Sequence, residues 1–163
     1  MKRAVPCLLD TNVVSFIRDM GADAAVYIGS TDLAVSDTVV AELLGPMPDT
    51  DPKMVRNYDF IAAIGGLIIG DDDDQTRALA RQIEHRYCLH QPPPSDDADD
   101  ALIAATAIRS GRVLITKNWK HFHYIAGLRL VDARIAVSSN LIGTQGIEDG
   151  CLRKKLCCSR VSR

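Results

Sequence analysis

The sequence predicts an α/β fold of three layers, with helices on both faces of a central, mostly parallel sheet of four to five strands. Three observations predict it. Short apolar runs alternate along the chain with longer segments of helical periodicity. The runs are continuously apolar rather than alternating, the pattern of strands covered on both faces. Carboxylates and hydroxyls follow the runs, and an α/β sheet gathers its functional groups at the carboxyl ends of its strands.

The first run, Val5–Leu9, ends on Asp10. Leu33–Ser36 (LAVS) is the second, Leu67–Ile69 between Gly65-Gly66 and Gly70 the third, Val113–Thr116 (VLIT) the fourth and Leu128–Val131 the fifth. Between them, Asp37–Leu44 carries Val39, Val40, Leu43 and Leu44 at helical spacing. Pro52–Ile64 repeats it more loosely with Val55, Phe60 and Ile64. Asp73–Tyr87 carries Leu79, Ala80, Ile83 and Tyr87 and opens with acids that suit a helix N-terminus. Asp99–Arg109 carries Leu102, Ile103, Ala107 and Ile108 and closes with Ser110-Gly111, a C-cap signal. Pro92-Pro93-Pro94 is a stiff stop that delivers Asp96–Asp100 at a fixed place. There is no internal repeat.

The 163 residues suit one domain, with 47% hydrophobic and 25% charged residues in the ordinary globular range. The net charge of −2 hides a split. Residues 1–133 carry 13 basic and 19 acidic side chains, whereas 134–163 carry 6 and 2. We therefore expect a folded domain over 1–133 and a basic, weakly structured tail over 134–163. An acidic body is ill suited to holding nucleic acid by charge alone, but it suits a divalent cation that reverses the local sign. No apolar run approaches the roughly 20 residues of a membrane span. The basic N-terminus is cut by Pro6 too early for a signal peptide. The expectation is a cytoplasmic protein with no membrane association. The five cysteines, Cys7, Cys88, Cys151, Cys157 and Cys158, form neither an even set nor a Cys-x-x-Cys. A disulfide scaffold and a structural zinc site are not expected.

The candidate chemistry lies in carboxylates from separate segments. Asp10 ends the first strand, Glu42 follows the second by about a turn and a half of helix, and Asp100 follows a loop at the start of a helix. Thr116 and Asn118 end the fourth strand. Converging carboxylates repel one another unless a cation neutralises them. Oxygen-only ligands favour Mg²⁺ or Mn²⁺, and such an ion activates water toward a phosphodiester. Taken singly, each residue has a plainer reading: Asp10 as an N-cap, Glu42 as a solvent-facing charge, Asp100 as a first-turn acid beside Asp96, Asp97 and Asp99. Asp71-Asp72-Asp73-Asp74 reads as helix capping, and His121-Phe122-His123 as a surface feature. Trp119 offers a base-stacking ring or simple packing.

On these residues the sequence resembles the PIN-domain family. Leu8-Leu9-Asp10-Thr11-Asn12-Val13-Val14 is similar to its opening motif, Val35-Ser36-Asp37-Thr38-Val39-Val40-Ala41-Glu42-Leu43 to its second, and Asp100-Ala101-Leu102-Ile103-Ala104-Ala105-Thr106-Ala107 to its third. Leu114-Ile115-Thr116-Lys117-Asn118, with Phe122 and Gly127-Leu128, resembles the fourth. The four follow in order across residues 5–132, and the nearest branch is the VapC-type toxin ribonucleases.

The resemblance implies a PIN-like α/β/α fold, Mg²⁺ or Mn²⁺ as cofactor, cleavage of single-stranded RNA, a small antitoxin partner and a homodimer. It implies Asp10, Glu42 and Asp100 as metal ligands, Asn118 beside them in catalysis, and Thr11, Asn12, Ser36 and Thr116 in support. Lys117, Lys120 and Arg81 are candidates for the RNA backbone. The fourth motif departs from the pattern: many relatives have an acid where Asn118 or His121 stands, and Asp97 or Asp99 is placed to compensate in part. That departure leaves an alternative, a PIN scaffold that binds RNA or a protein without cutting. A phosphatase with Asp10 as nucleophile fits less well, because Asn12 stands where a second Asp is needed. A receiver domain and a dinucleotide-binding fold lack their motifs.

Overall fold

In the computed structural model of the chain, residues 4–45, 48, 50–87, 97–135 and 148–149 are described. The elements run β1 (Cys7–Leu9), α1 (Thr11–Asp19), α2 (Ala24–Ile28), β2 (Leu33–Ser36), α3 (Asp37–Leu44) and α4 (Pro52–Ala63). They continue with β3 (Ile68–Ile69), α5 (Asp74–Tyr87), α6 (Asp97–Ser110), β4 (Val113–Thr116), α7 (Trp119–Phe122), β5 (Arg129–Asp132) and β6 (Glu148–Asp149). The expected tail falls mostly outside the described residues, as do the Pro92-Pro93-Pro94 stop and every cysteine except Cys7.

The sheet order is β3-β2-β1-β4-β5-β6. Five strands pair in parallel, and β6 adds one antiparallel edge strand to the four to five expected. β1, β2 and β4 are buried along their whole length, as their continuous apolar sequences require. β3 differs. Among the described residues it pairs only with β2, and Leu67 and Ile68 are 41% and 42% exposed at the sheet edge. The core is filled by Leu8, Leu9, Ile17, Ile103, Leu114, Ile115 and Phe122.

Chain direction reverses its lateral progress between β1 and β4, which are neighbours although two strands and six helices separate them in sequence. Such a switch point opens a crevice at the carboxyl ends of the two strands. The register pairs Leu9 with Ile115, which sets Asp10 level with Thr116. At the opposite end of these strands Arg112 donates to the Cys7 carbonyl at 3.1 Å and the Asp32 carboxylate at 2.8 Å. α6 leads into β4 through Gly111, whose φ of 65° lies in the left-handed region that glycine accepts without a Cβ penalty. The Arg112 N–H then bonds the Ala107 carbonyl at 3.0 Å, closing the helix. No helix among the described residues is long and apolar enough to cross a membrane.

Candidate active site

Asp10 is 4% exposed at the mouth of the switch point. It occupies the N-cap position of α1 with extended backbone, yet its side chain makes no capping bond. Its carboxylate turns instead to the neighbouring strand. The Thr116 hydroxyl donates to Oδ2 at 2.5 Å, and Asn12 Nδ2 donates to the same oxygen at 2.5 Å. Thr116 Oγ1 in turn accepts the Asn118 N–H at 2.8 Å, while Asn12 Oδ1 accepts the Lys117 N–H at 2.8 Å. Thr116 and Asn12 therefore lock the chain leaving β4 against the start of α1.

Burial pushes the Asp10 carboxyl above the ordinary carboxylate range, with the negative charge of Asp100 adding to the rise. Hydrogen bonds from Thr116, Asn12 and the Thr11 backbone oppose it. The effect of Asp100 on Asp10 is the electrostatic sign that α6 and β1 bring their acids to one place.

Asp100 is the fourth residue of α6, inside the helix rather than capping it. Its Oδ2 lies 2.7 Å from His121 Nδ1, with the two side chains 22% and 42% exposed. His121, a surface feature in the sequence, is 42% exposed and pairs with this candidate acid. As alternate positions in a strand, His121 and His123 would have shared one face. The helical α7 separates them: His121 reaches Asp100, whereas His123 stacks on Trp119 at 4.1 Å between ring centroids. Phe122 between them is fully buried and anchors the helix.

Glu42 is exposed on α3 and accepts the Thr11 hydroxyl, which ties it to the residue next to Asp10. Ser36 is fully buried and serves as N-cap of α3, accepting the Val39 N–H at 3.2 Å. A second brace at this helix start comes from Asp71, 4% exposed, which accepts both the backbone N–H of Thr38 at 2.9 Å and its hydroxyl at 2.7 Å. Asp73 caps α5 through the Gln75 and Thr76 N–H groups. The acidic run is therefore divided between an interior brace and a cap.

The structure joins Asp10, Asn12, Thr116 and Asn118 in one hydrogen-bond network, pairs Asp100 with His121, and links Thr11 to Glu42. Among the described residues, no three His, Cys, Asp or Glu side chains are gathered closely enough to hold a metal ion between them. Asn118 is the N-cap residue of α7, but its side chain makes no capping bond. Lys117 places Nζ 4.0 Å above the Phe16 ring, Lys120 is exposed, and Asp99 is exposed on α6. Arg81 lies elsewhere, lining a cavity of about 780 Å³ with Leu79, His85, Arg86, Ile108 and Ile125. Ile108 is two turns along α6 from Asp100, about 12 Å at the helical rise.

A sequence profile of the family described as the PIN domain matches residues 7–128. The fold is similar to a chain of the DNA-bound VapBC from Salmonella typhimurium, with 22% identity and a TM-score of 0.60 over 79% of this chain and 98% of that one. It is similar to VapBC2 from Rickettsia felis bound to a DNA fragment from their promoter, with 20% identity and a TM-score of 0.60 over 77% and 97%. It also resembles FitAcB from Neisseria gonorrhoeae, with 25% identity and a TM-score of 0.52 over 71% and 90%. A search of curated proteins finds no match.

Proposed function

Because this chain belongs to the PIN-domain family, we propose that it is a VapC-type endoribonuclease that cleaves single-stranded RNA with Mg²⁺ or Mn²⁺. PIN domains are generally nucleases and generally use divalent metal ions. The observation that carries the reading is Asp10: a buried carboxylate at the switch point, turned away from its helix and loaded with the charge of a second acid, Asp100. Two mutually repelling carboxylates fit a hard divalent cation by donor chemistry.

In this reading Asp10 and Asp100 hold the ion, with Glu42 as the third carboxylate. A bound divalent cation supplies charge neutralisation and Lewis acidity for phosphodiester cleavage. Thr116 and Asn12 fix the Asp10 carboxylate, and Thr11 restrains Glu42. Asn118, Lys117 and Lys120 lie where the chain leaves β4, and they orient the phosphate backbone. Arg81 extends RNA contact along α5. VapBC-5 from Mycobacterium tuberculosis, whose fold is also similar, belongs by its own description to a family of toxin–antitoxin systems, which supports a small antitoxin partner; the reading extends to a homodimer acting in the cytoplasm. The exposed Met20, Val26, Val55 and Tyr58 near α1, α2 and α4 offer apolar surface for such a protein partner.

The test is cleavage of a labelled single-stranded RNA with Mn²⁺ or Mg²⁺, wild type beside Asp100→Asn. Metal-dependent cutting that disappears in the variant is expected. Equal cutting by both proteins sinks the assignment. One observation favours a second reading, a scaffold that binds without cutting: no three ligand side chains are gathered among the described residues. RNA retention by the wild type with no cleavage in either metal would select it.

A further inference from the structure

We propose that Arg134 binds a backbone phosphate of the RNA within about three nucleotides of the scissile bond, at the 3.4 Å rise of a stacked strand, with its guanidinium held ready by Asp132. The inference rests on the reading of this chain as an RNA-cleaving protein.

Strand register puts Arg134 beside the site. Asp10 is level with Thr116, and Thr116 pairs in turn with Asp132 on the next strand. Asp10, Thr116 and Asp132 therefore end three neighbouring strands in one row along the carboxyl edge. Two strand spacings separate the first from the last, roughly 10 Å. A stacked nucleic-acid strand covers that distance in about three nucleotides. The turn that carries Arg134, Ala133–Ile135, lies against β4. The same edge is approached by α7, which packs on β5 and brings His121 to Asp100.

Asp132 presents the guanidinium outward. It is buried, 8% exposed, and accepts the Arg134 backbone N–H at 2.9 Å. Arg134 Nε donates to its Oδ1 at 2.9 Å and Nη2 to its Oδ2 at 2.6 Å, a two-pronged grip that fixes the guanidinium plane. Nη1 makes no hydrogen bond among the described residues, and the side chain is 46% exposed. A planar cation so fixed, with donors to spare, matches a phosphate better than a mobile lysine does. The need for it is electrostatic, because Asp10, Asp100 and Glu42 repel a polyanion. Lys117 is turned over the Phe16 ring, and Arg112 sits at the far end of the strands. In the plainer reading Arg134 only neutralises Asp132. Replacing both residues with neutral ones separates the two readings, since it leaves the net charge unchanged and no buried charge unpaired.

The experiment is fluorescence anisotropy of a labelled single-stranded RNA with Mn²⁺, every protein carrying Asp10→Asn so that RNA is bound and not cut. This parent is compared with added Asp132→Asn/Arg134→Gln, with Arg134→Lys, and with Arg129→Gln at the amino end of β5. The double replacement is expected to weaken binding about tenfold, the scale of one charge-assisted hydrogen bond. Its slope of log affinity against log salt should fall by about 0.7, the amount for one single-strand phosphate. Arg134→Lys keeps the slope but loses part of the affinity, because the fork is gone. Arg129→Gln changes affinity far less. In RNAs with one neutral methylphosphonate, a single position near the scissile bond should weaken the parent and leave the double replacement unaffected. Should the double replacement not fold, Arg134→Lys and the methylphosphonate scan decide. Unchanged affinity and slope in the Arg134 variants, with RNA still bound, leave the RNA reading standing and overturn the inference. An equal loss in Arg129→Gln marks diffuse charge and also overturns it. A parent that binds no RNA, beside a wild type that cuts none, overturns both.

Discussion

Replacing Thr116 with Val tests the architecture of the site at its most connected atom. The side chain is fully buried, and its hydroxyl donates to Asp10 at 2.5 Å while accepting the Asn118 N–H at 2.8 Å. Valine keeps the shape and β-propensity but removes both bonds. A hydrogen bond to a charged group contributes about 1.5–3 kcal/mol, and a buried N–H left without an acceptor costs about 1–3 kcal/mol. Asn118 is half-buried, so water recovers part of the second amount, and the expected loss is about 2–4 kcal/mol. For a chain of this size each kcal/mol moves the melting temperature by about 2–4 °C. Differential scanning fluorimetry without metal should then show a fall of about 5–15 °C. The hydroxyl also favours the ionised form of Asp10. Its loss raises the Asp10 pKa further, so the acid limb of Mn²⁺ binding moves to higher pH. A variant with unchanged melting temperature and an unchanged acid limb would refute the view that Thr116 holds the Asp10 carboxylate.

Asp10→Asn should stabilise the metal-free fold at neutral pH while abolishing the thermal shift that Mn²⁺ produces. The folded-state pKa of Asp10 is raised above its unfolded value of about 3.9. Its contribution is therefore fully present at acid pH and lost as pH rises through the folded value. Urea titrations in EDTA from pH 4 to 8 should show that decline in the wild type and its absence in the variant. Asp71→Ala leaves the buried N–H and hydroxyl of Thr38 without their acceptor, and urea denaturation should report a loss of about 2–4 kcal/mol; a loss under 0.5 kcal/mol would show that water replaces the carboxylate. The Cys7 thiol is fully buried in β1, and burial pushes its pKa up to about 11. Iodoacetamide at pH 8, read by peptide mass spectrometry, should spare Cys7 until the chain unfolds; rapid labelling in the native protein would contradict its placement.

The fold was legible because each central strand announces itself. LAVS and VLIT are buried on both faces, so nothing polar interrupts them, and a fully apolar run bounded by turn residues has few other homes. β6 was not legible, because the two residues Glu148–Asp149 carry no apolar signal. The short α2 was missed for a related reason: five residues give too little periodicity, and its evidence is a cap at each end, Asp23 and the left-handed Gly29. In the site, Asp10 and Asp100 follow from their places at a strand end and a helix start. Glu42 is a ligand candidate from its motif, and the structure ties it through a hydrogen bond to Thr11, the residue after Asp10. The pairing of His121 with Asp100 was not legible, because it depends on residues 119–122 forming a helix, and a four-residue helix is written in tertiary contacts, chiefly the burial of Phe122.

The two halves of the site hang from parts of the molecule with different lifetimes. Asp10 and Thr116 belong to the two central strands, where the Asp10 amide is bonded to the Ile115 carbonyl at 3.1 Å. Amides so placed exchange with solvent only when the whole domain opens. His121 rides on a single turn of helix and Glu42 on an exposed helical face, segments that open locally at small cost. The strands therefore supply a permanent anchor and the helices a transient one. An ion held by Asp10 and Glu42 would leave deuterium uptake at Asp10 governed by global opening while slowing it in α3, so its presence would be recorded as protection spreading outward from the sheet.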